Sequence, residues 1–171
     1  CPHGHGVRFK HNANGDGSFT NIVKRNKIWN AGGNGNPGAV TGGTAALRMS
    51  NNLILDSSRG VKLHNSGGST YIEDIQVTNN TFKNTDPFAA RPEEASETGS
   101  ISFSGNVATT STSSYCAQCG FHELSPYGSD TGVGGFSDMV TGGKYSFSSN
   151  CYYSTGAALQ FCLYCDNSST S

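Results

Sequence analysis

Apolar and polar residues alternate in short runs along the chain, and each run ends at a turn marked by asparagine. The runs are FTNIVKRN, ALRMSNN, IEDIQVTNN, SISFSGN and YSFSSN, and a second short apolar segment follows each of them. Alternation with a period of two predicts strands that bury one face. The asparagines that end the runs are spaced by 26, 28, 26 and 44 residues, and they are Asn26, Asn52, Asn80, Asn106 and Asn150.

A strand–turn–strand unit repeated at this interval predicts a solenoid. The fold class that fits is all-β, a right-handed parallel β-helix of about five to six coils, with the hand given by the rule for parallel crossovers. Asparagine tolerates the left-handed backbone of a tight corner, so we expect these residues to form the corners and their amides to stack as a ladder. Residues 1–171 would form one domain, or a portion of a longer β-helix.

Two segments are too long to be simple corners. They are residues 86–99 (DPFAARPEEASETG) and residues 120–143 (GFHELSPYGSDTGVGGFSDMVTGG). We therefore predict two long loops that project from the coils, either to wall a groove or to contact a partner.

Composition excludes some functions. The net charge of −1 argues against general nucleic-acid binding, and the chain has no apolar run long enough to span a membrane. No cofactor motif is present, so we expect no cofactor. The chain starts at Cys1 rather than Met and carries no signal peptide, which is typical of a processed form or of a piece of a longer protein.

Six cysteines in a small Gly-, Ser- and Asn-rich chain indicate an oxidising, extracellular setting, so we predict a secreted protein. Four of them form two C-x-x-C pairs, predicted to lie on one face of adjacent coils and to form disulfides: Cys116, Cys119, Cys162 and Cys165. A zinc site with four cysteine ligands is the alternative that this pairing leaves open. Redox catalysis fits less well, because no βαβ unit surrounds either pair.

The two remaining cysteines, Cys1 and Cys151, are predicted to lie four coil steps apart, too far to bond each other. Each would join a C-x-x-C cysteine, or Cys1 would bond a group outside this chain. The triplets that start at Asn79 and Asn167 match the N-glycosylation pattern, so both asparagines are candidate glycan sites.

A second internal similarity relates residues 6–28 to residues 60–82 and predicts a shared surface. In each segment alternate residues should point inward, Val7 and Phe9 in the first and Val61 and Leu63 in the second. The residues between them, with two nearby histidines, form a predicted outward basic strip: His5, Arg8, Lys10, His11, Lys62 and His64. The intervening coil would contribute the small residues 37–43 and leave a shallow trough.

An open row of cations along a β-helix suits an extended acidic polymer, because arginine forks onto carboxylates and lysine supplies a point charge. A uronic-acid polysaccharide is the natural candidate. The alternative is that the basic residues keep an outward sheet face solvated. His3, His5 and His11 could also hold a metal, but exposed histidines without a metal are the simpler expectation, so no metal site is predicted.

The stretch RFKHNANGDGSFTNI, residues 8–22, resembles the R-I-K motif region of the family 28 glycoside hydrolases, the polygalacturonases. That resemblance implies a right-handed β-helix with C-terminal disulfides and a role for Arg8 and Lys10 in holding a substrate carboxylate. His5 would match the family's G-H-G motif. The catalytic aspartates of the family would precede Cys1, so the resemblance implies no catalytic residue in this chain.

A β-helix has open strand edges at both ends, and these aggregate unless they are capped. No capping helix is visible in the sequence at either end. A second hypothesis is therefore a structural, non-catalytic subunit of an extracellular filament or coat, in which β-helices stack end to end and Cys1 links neighbours.

Overall fold

The computed structural model describes residues 3–4, 6–9, 20–33, 38–42, 45–64, 73–91, 99–110, 122–124, 143, 145–154 and 161–162. Throughout these ranges the regular structure is β-strand, and no helix is present. In chain order the strands are β1 (His3–Gly4), β2 (Val7–Phe9), β3 (Asn21–Lys24), β4 (Lys27–Trp29), β5 (Gly32–Gly33), β6 (Val40–Gly42), β7 (Ala45–Ser50), β8 (Leu53–Leu55), β9 (Arg59–His64), β10 (Glu73–Thr78), β11 (Thr81–Lys83), β12 (Asp86–Arg91), β13 (Ile101–Ser104), β14 (Val107–Thr110), β15 (His122–Leu124), β16 (Tyr145–Ser148), β17 (Cys151–Ser154) and β18 (Phe161–Cys162).

The described strands form three parallel sheets, which the chain visits in a fixed order. Sheet I contains β3, β7, β10, β13 and β16, and sheet II contains β4, β8, β11, β14 and β17. Sheet III contains β2, β6, β9, β12, β15 and β18. Each passage through sheets I, II and III is here called a rung. The described strands make five rungs, with β2 standing before the first, and this all-β parallel arrangement is consistent with the predicted β-helix. A short antiparallel pair, β1 with β5, lies outside the three sheets.

The predicted asparagine ladder is present at the corner between sheets I and II. Asn26, Asn52, Asn80 and Asn106 each donate a side-chain hydrogen bond to the Oδ1 atom of the next ladder asparagine, over 3.1, 2.9, 3.0 and 3.1 Å, and the last acceptor is Asn150. The main-chain N–H of each donor residue bonds to the same oxygen. The ladder therefore satisfies polar groups that the turn would otherwise bury without partners.

The backbone at this corner corrects one prediction. The left-handed residue is the one before each ladder asparagine, with φ between 54° and 65° at Arg25, Asn51, Asn79, Gly105 and Ser149. The physical reason is that the two residues have different roles. The first bends the chain from sheet I into sheet II and faces solvent, and the second points its amide inward, where it bonds to the adjacent rungs. The inward ladder residues Asn52, Asn80 and Asn106 are accordingly buried.

A second ladder, not predicted from the sequence, lies at the corner between sheets II and III. Asn30, Asp56 and Asn84 take left-handed φ values of 53°, 48° and 50° there. The residue after each is buried, and hydroxyls replace amides in this ladder: Ser57 Oγ accepts from the main-chain N–H of Ala31, and Thr85 Oγ1 accepts from that of Ser57.

The core runs between the sheets and is built from one face of each strand. Its buried members include Leu47, Ile54, Val61, Val77 and Phe103, with an aromatic cluster in the later rungs. Alternation along the strands places these residues inward, as the sequence pattern predicted.

Both predicted projecting loops are partly strand. Residues 86–91 form β12 between β9 and β15, and residues 122–124 form β15. Pro87 argues against an interior strand, because proline cannot donate to a ladder. Burial of Phe88 against Phe103 and Tyr145 offsets that loss and holds the segment in sheet III.

Replacing Gly60 with alanine should destabilise the protein by about 1–3 kcal/mol, because the added methyl overpacks the core. A Cβ at this position would lie 2.4 Å from Cε1 of Phe82 and 2.7 Å from the carbonyl oxygen of Pro87. Denaturant unfolding of the single variant, of Phe82→Leu and of the double variant would measure the coupling. The double variant should lose less than the sum of the two, and strict additivity would contradict the clash.

Candidate functional site

The outer face of sheet III carries two residues of the predicted basic strip, Arg8 and Lys62. Arg8 on β2 is in register with Thr41 on β6, and Thr41 is in register with Lys62 on β9. Arg8 is exposed and Lys62 is half-buried. Two parallel strand spacings separate Arg8 from Lys62, about 10 Å.

The flanking residues point inward as the alternation predicted. Val61 and Leu63 are fully buried, and Val7 and Phe9 pack against the core. The backbone of β2 and β9 therefore presents Arg8 and Lys62 to the opposite side of sheet III from the core.

The segment between the two cations is buried rather than open. Residues 38–42 are all buried, and a Cβ at Gly38 would sit 3.2 Å from both the Lys62 Cβ and the Thr41 Cγ2. The predicted shallow trough is therefore not open at these residues.

The strand pairing adds positions that sequence reasoning missed. His64, at the end of β9, is in register with Arg91 at the end of β12. Arg91 had been assigned to a projecting loop, so its place beside His64 was not predicted. Beyond Lys62 the same row continues through Ala89 to Glu123 and then Cys162.

Several predicted residues lie outside the described part of the chain. The residues in this group are His5, Lys10, His11, Cys1, Cys116, Cys119, Cys165 and Asn167. The predicted disulfides and the reach of the strip along β2 therefore stay predictions. Cys151 is exposed and forms no disulfide, so its predicted pairing with a C-x-x-C cysteine is not found.

Exposed positive charge is concentrated on the first rung. Lys24, Arg25 and Lys27 surround the first asparagine corner and all three are exposed, as is Arg8 on the strand that precedes the rung. The next arginine is neutralised, because Arg48 Nη2 lies 2.5 Å from Asp74 Oδ2 in an ion pair. The described first rung of the three sheets is therefore cationic although the whole chain carries a net charge of −1.

Asn79, the first candidate glycan site, is exposed at the left-handed corner position, and Thr81 of its triplet is exposed as well. The intervening Asn80 is buried in the ladder. Glycosylation of Asn79 stays a prediction, and its side chain is placed where an enzyme could reach it.

Other chemistries find little support in the described ranges. No group of three or more His, Cys, Asp or Glu residues there could hold a metal ion, and no helix in those ranges could cross a membrane.

Burial raises the pKa of Tyr145 well above its usual value, and Tyr152 adds to the rise. Burial also raises the pKa of Tyr152, so both phenols are neutral at physiological pH.

Comparison with known proteins does not identify a family for this chain. Comparisons with protein-family models, with curated proteins and with solved structures find no match to this chain. The likeness of residues 8–22 to polygalacturonases is therefore a resemblance of one segment, and what it implies for His5, Arg8 and Lys10 stays a prediction.

Proposed function

We propose that this protein is a secreted right-handed parallel β-helix that binds an acidic polysaccharide along the outer face of sheet III. The observation that carries the proposal is the register row Arg8–Thr41–Lys62, which sets exposed Arg8 and half-buried Lys62 on the outer face of sheet III two strand spacings apart. The cationic first rung extends the positive field around that row.

The ligand class follows from the geometry of the row. Two cations about 10 Å apart on one sheet face match an extended polymer with repeated carboxylates better than they match one compact anion. Arg8 supplies a planar fork for a carboxylate and Lys62 supplies a point charge. A uronic-acid polysaccharide has this charge pattern, and binding through exposed cations weakens as salt is added.

The proposal is binding rather than cleavage. Asp74 is paired with Arg48, Asp86 is buried at the start of β12, and exposed Asp56 accepts a hydrogen bond from Asn84. The register neighbours of Lys62 are Thr41 and Ala89, and neither is acidic. Glycoside hydrolysis requires a pair of carboxyl groups across the scissile bond, and no such pair flanks Lys62 among the described residues.

The test compares polygalacturonate binding by the full chain and by an Arg8→Ala/Lys62→Ala variant. We expect the affinity to fall about tenfold for each cation removed, the equivalent of ~1.4 kcal/mol per step. Isothermal titration calorimetry at low and at physiological salt would measure the affinity. The affinity of the variant should also depend less on salt, because the two removed charges account for the salt-sensitive part of binding.

The matched control is Lys83→Ala, which removes one exposed lysine from sheet II and leaves sheet III unchanged. Its affinity should stay within about twofold of that of the unmodified chain, because distant exposed charges are screened. Equal losses of affinity in the control and in the Arg8/Lys62 variant would show that net charge, rather than the row on sheet III, determines binding. Unchanged binding in the double variant would refute the proposed row.

End-to-end stacking into filaments is the competing proposal, and the strand count bears on it. Sheet III has six described strands, whereas sheets I and II have five each. If a second copy continued all three sheets without a gap, its β2 would fall where β18 of the first copy lies. Stacking of this kind therefore requires one of these two strands to move, a cost that polysaccharide binding does not carry.

A further inference from the structure

A groove runs along the outside of the corner between sheets I and II, across the first three rungs. Its lining includes Arg25, Lys27, Asn51, Leu53, Asn79 and Thr81. We call this the corner groove. It lies on a different side of the solenoid from the Arg8–Lys62 row, because that row belongs to sheet III.

The backbone explains why polar side chains line the corner groove. Arg25, Asn51 and Asn79 hold the left-handed corner positions of successive rungs, so their side chains lie on the outside of the turn. The ladder asparagines immediately after them point inward, and their side-chain amides form hydrogen bonds between rungs. Each corner thus carries one structural asparagine and one outward side chain.

The outward side chains are not engaged by the protein. In the part of the chain that the structure describes, the side chains of Arg25, Asn51, Asn79 and Thr81 make no hydrogen bond or ion pair. A guanidinium, two amides and a hydroxyl therefore line one groove with their donors and acceptors available to a ligand.

An aromatic ring lies next to the corner groove, beyond Lys27. Trp29 follows Lys27 on β4, the first strand of sheet II, and is 66% exposed. The Lys27 ammonium lies 6.0 Å from the centroid of the Trp29 ring, at the outer limit of a cation–π contact. An indole that stays this exposed leaves a broad apolar surface open to a partner.

We infer that the corner groove and Trp29 form a binding site for a short run of hexuronate units of an acidic saccharide. The apolar face of one sugar ring stacks on the indole of Trp29, and carboxylates of the run reach Lys27 and Arg25. Hydroxyls of the neighbouring units exchange hydrogen bonds with Asn51 and Asn79, which lie one and two rungs further on. The inference takes its ligand class from the proposed function but rests on different residues.

The combination of groups favours a uronate over other anions. A free phosphate would use Arg25 and Lys27 but would gain nothing from Trp29 or Leu53. A neutral sugar would use the ring and the amides but would leave two cations without a counter-charge. Of these three ligands, the uronate is the one that engages the aromatic, amide and cationic groups together, which is how pockets obtain specificity from a few placed polar groups.

Trp29 is the single tryptophan of the chain, so tryptophan fluorescence reports this site directly. The experiment titrates a galacturonate oligomer into the full chain, made in a host that does not N-glycosylate because a glycan on Asn79 would enter the groove. We expect a saturable change in Trp29 emission together with protection of Trp29 from quenching by iodide. A neutral galactose oligomer of equal length should bind at least tenfold more weakly.

The test variant is Arg25→Asn/Lys27→Gln, in which asparagine suits the left-handed position at residue 25. Its affinity for the galacturonate oligomer should fall at least tenfold, whereas Lys83→Gln on the outer surface of sheet II should change it less than twofold. A circular-dichroism melt like that of the unmodified chain shows that the variant is folded. Equal responses to the charged and neutral oligomers, or an unchanged affinity in the test variant, would overturn the inference.

The Arg8→Ala/Lys62→Ala variant separates the two sites. If its affinity for polygalacturonate falls but it keeps the Trp29 response to the oligomer, both proposals stand. If the unmodified chain binds polygalacturonate but Trp29 does not respond, the corner groove is refuted and the sheet III row stands. If the oligomer changes Trp29 emission while the polymer binds unchanged to that variant, the corner groove stands and the sheet III row is refuted.

Discussion

Asn80→Ala should lower the free energy of unfolding by about 3–5 kcal/mol, among the largest effects available to a single polar substitution. Asn80 is buried at the centre of the ladder. Its Oδ1 accepts from the main-chain N–H and from Nδ2 of Asn52, both at 2.9 Å. Its Nδ2 lies within 3.1 Å of Asn106 Oδ1 and of the carbonyl oxygens of Met49 and Thr78.

The size of the effect comes from the groups left behind. Alanine cannot accept from Asn52, so the Asn52 main-chain N–H loses its acceptor and the carbonyl of Met49 loses a donor, while Asn52 Nδ2 keeps the carbonyl oxygens of Val23 and Ser50. Each buried polar group without a partner costs about 1–3 kcal/mol, and the lost carboxamide also leaves a gap in the ladder. Urea unfolding followed by circular dichroism would measure the loss.

The control is Asn51→Gly, at the outward position of the preceding corner. Asn51 has a φ of 55° and no side-chain hydrogen bond in the described ranges, and glycine adopts that backbone freely. Its unfolding free energy should change by less than about 1 kcal/mol. A similar loss in the two variants would show that the corner, rather than the amide ladder, stabilises the rungs.

The ladder could be predicted from the sequence because it follows from a constraint that repeats. An inward amide at a corner must bond to the rung before and the rung after, so the same residue type has to return at each coil. Asn26, Asn52, Asn80, Asn106 and Asn150 return in this way, even across the 44-residue interval. The row of Arg8 and Lys62 followed from the same period, because two ladder steps of 26 and 28 residues separate these positions.

The corner groove could not be predicted in that way. The outward corner positions share a left-handed backbone and nothing else, since solvent accepts Arg25, Asn51 and Asn79 of the groove, and Gly105 and Ser149 of the later rungs, equally well. Sequence periodicity detects residues that the core restricts, and an exposed corner is not restricted. The signal that could have revealed it was the residue directly before each ladder asparagine, once the direction of the turn was known.

The strand β12 was missed for a different reason. Pro87 and the acidic residues that follow it outweigh one phenylalanine in any local pattern. Phe88 is nevertheless buried among rings from two other strands, a gain that depends on chain neighbours far away in the sequence. Tertiary packing overrode local propensity there, and it carried Arg91 to its place beside His64.

Phe103→Ala should cost about 3–5 kcal/mol of unfolding free energy, because it empties the centre of the aromatic cluster. Phe103 is fully buried, and its ring centroid lies 5.9 Å from those of Phe82 and Phe88 and 6.2 Å from that of Phe147. Those three rings belong to different strands, so no single strand can shift to fill the cavity. Phe103→Leu, which keeps most of the volume, should lose less than about 1.5 kcal/mol.

Phe147→Ala is the matched control, since Phe147 occupies the same row one rung later and is in register with Phe103. It is 40% exposed, because sheet I ends there among the described strands. Removing a ring that is partly in water should cost about half as much as removing the ring of Phe103. Equal losses at the two positions would mean that the last rung is closed as tightly as the fourth.

The same unfolding curves test whether the rungs act as one unit. Trp29 on the first rung reports through its fluorescence, and circular dichroism reports on all rungs together. A solenoid is stabilised by contacts between neighbouring rungs, so a cavity at Phe103 should weaken the fourth rung first. We expect the two signals to coincide in the unmodified chain and to separate in Phe103→Ala, with circular dichroism lost at lower urea. Coincident curves in that variant would contradict this order, and would mean that the first rung cannot hold its binding surfaces once the fourth has opened.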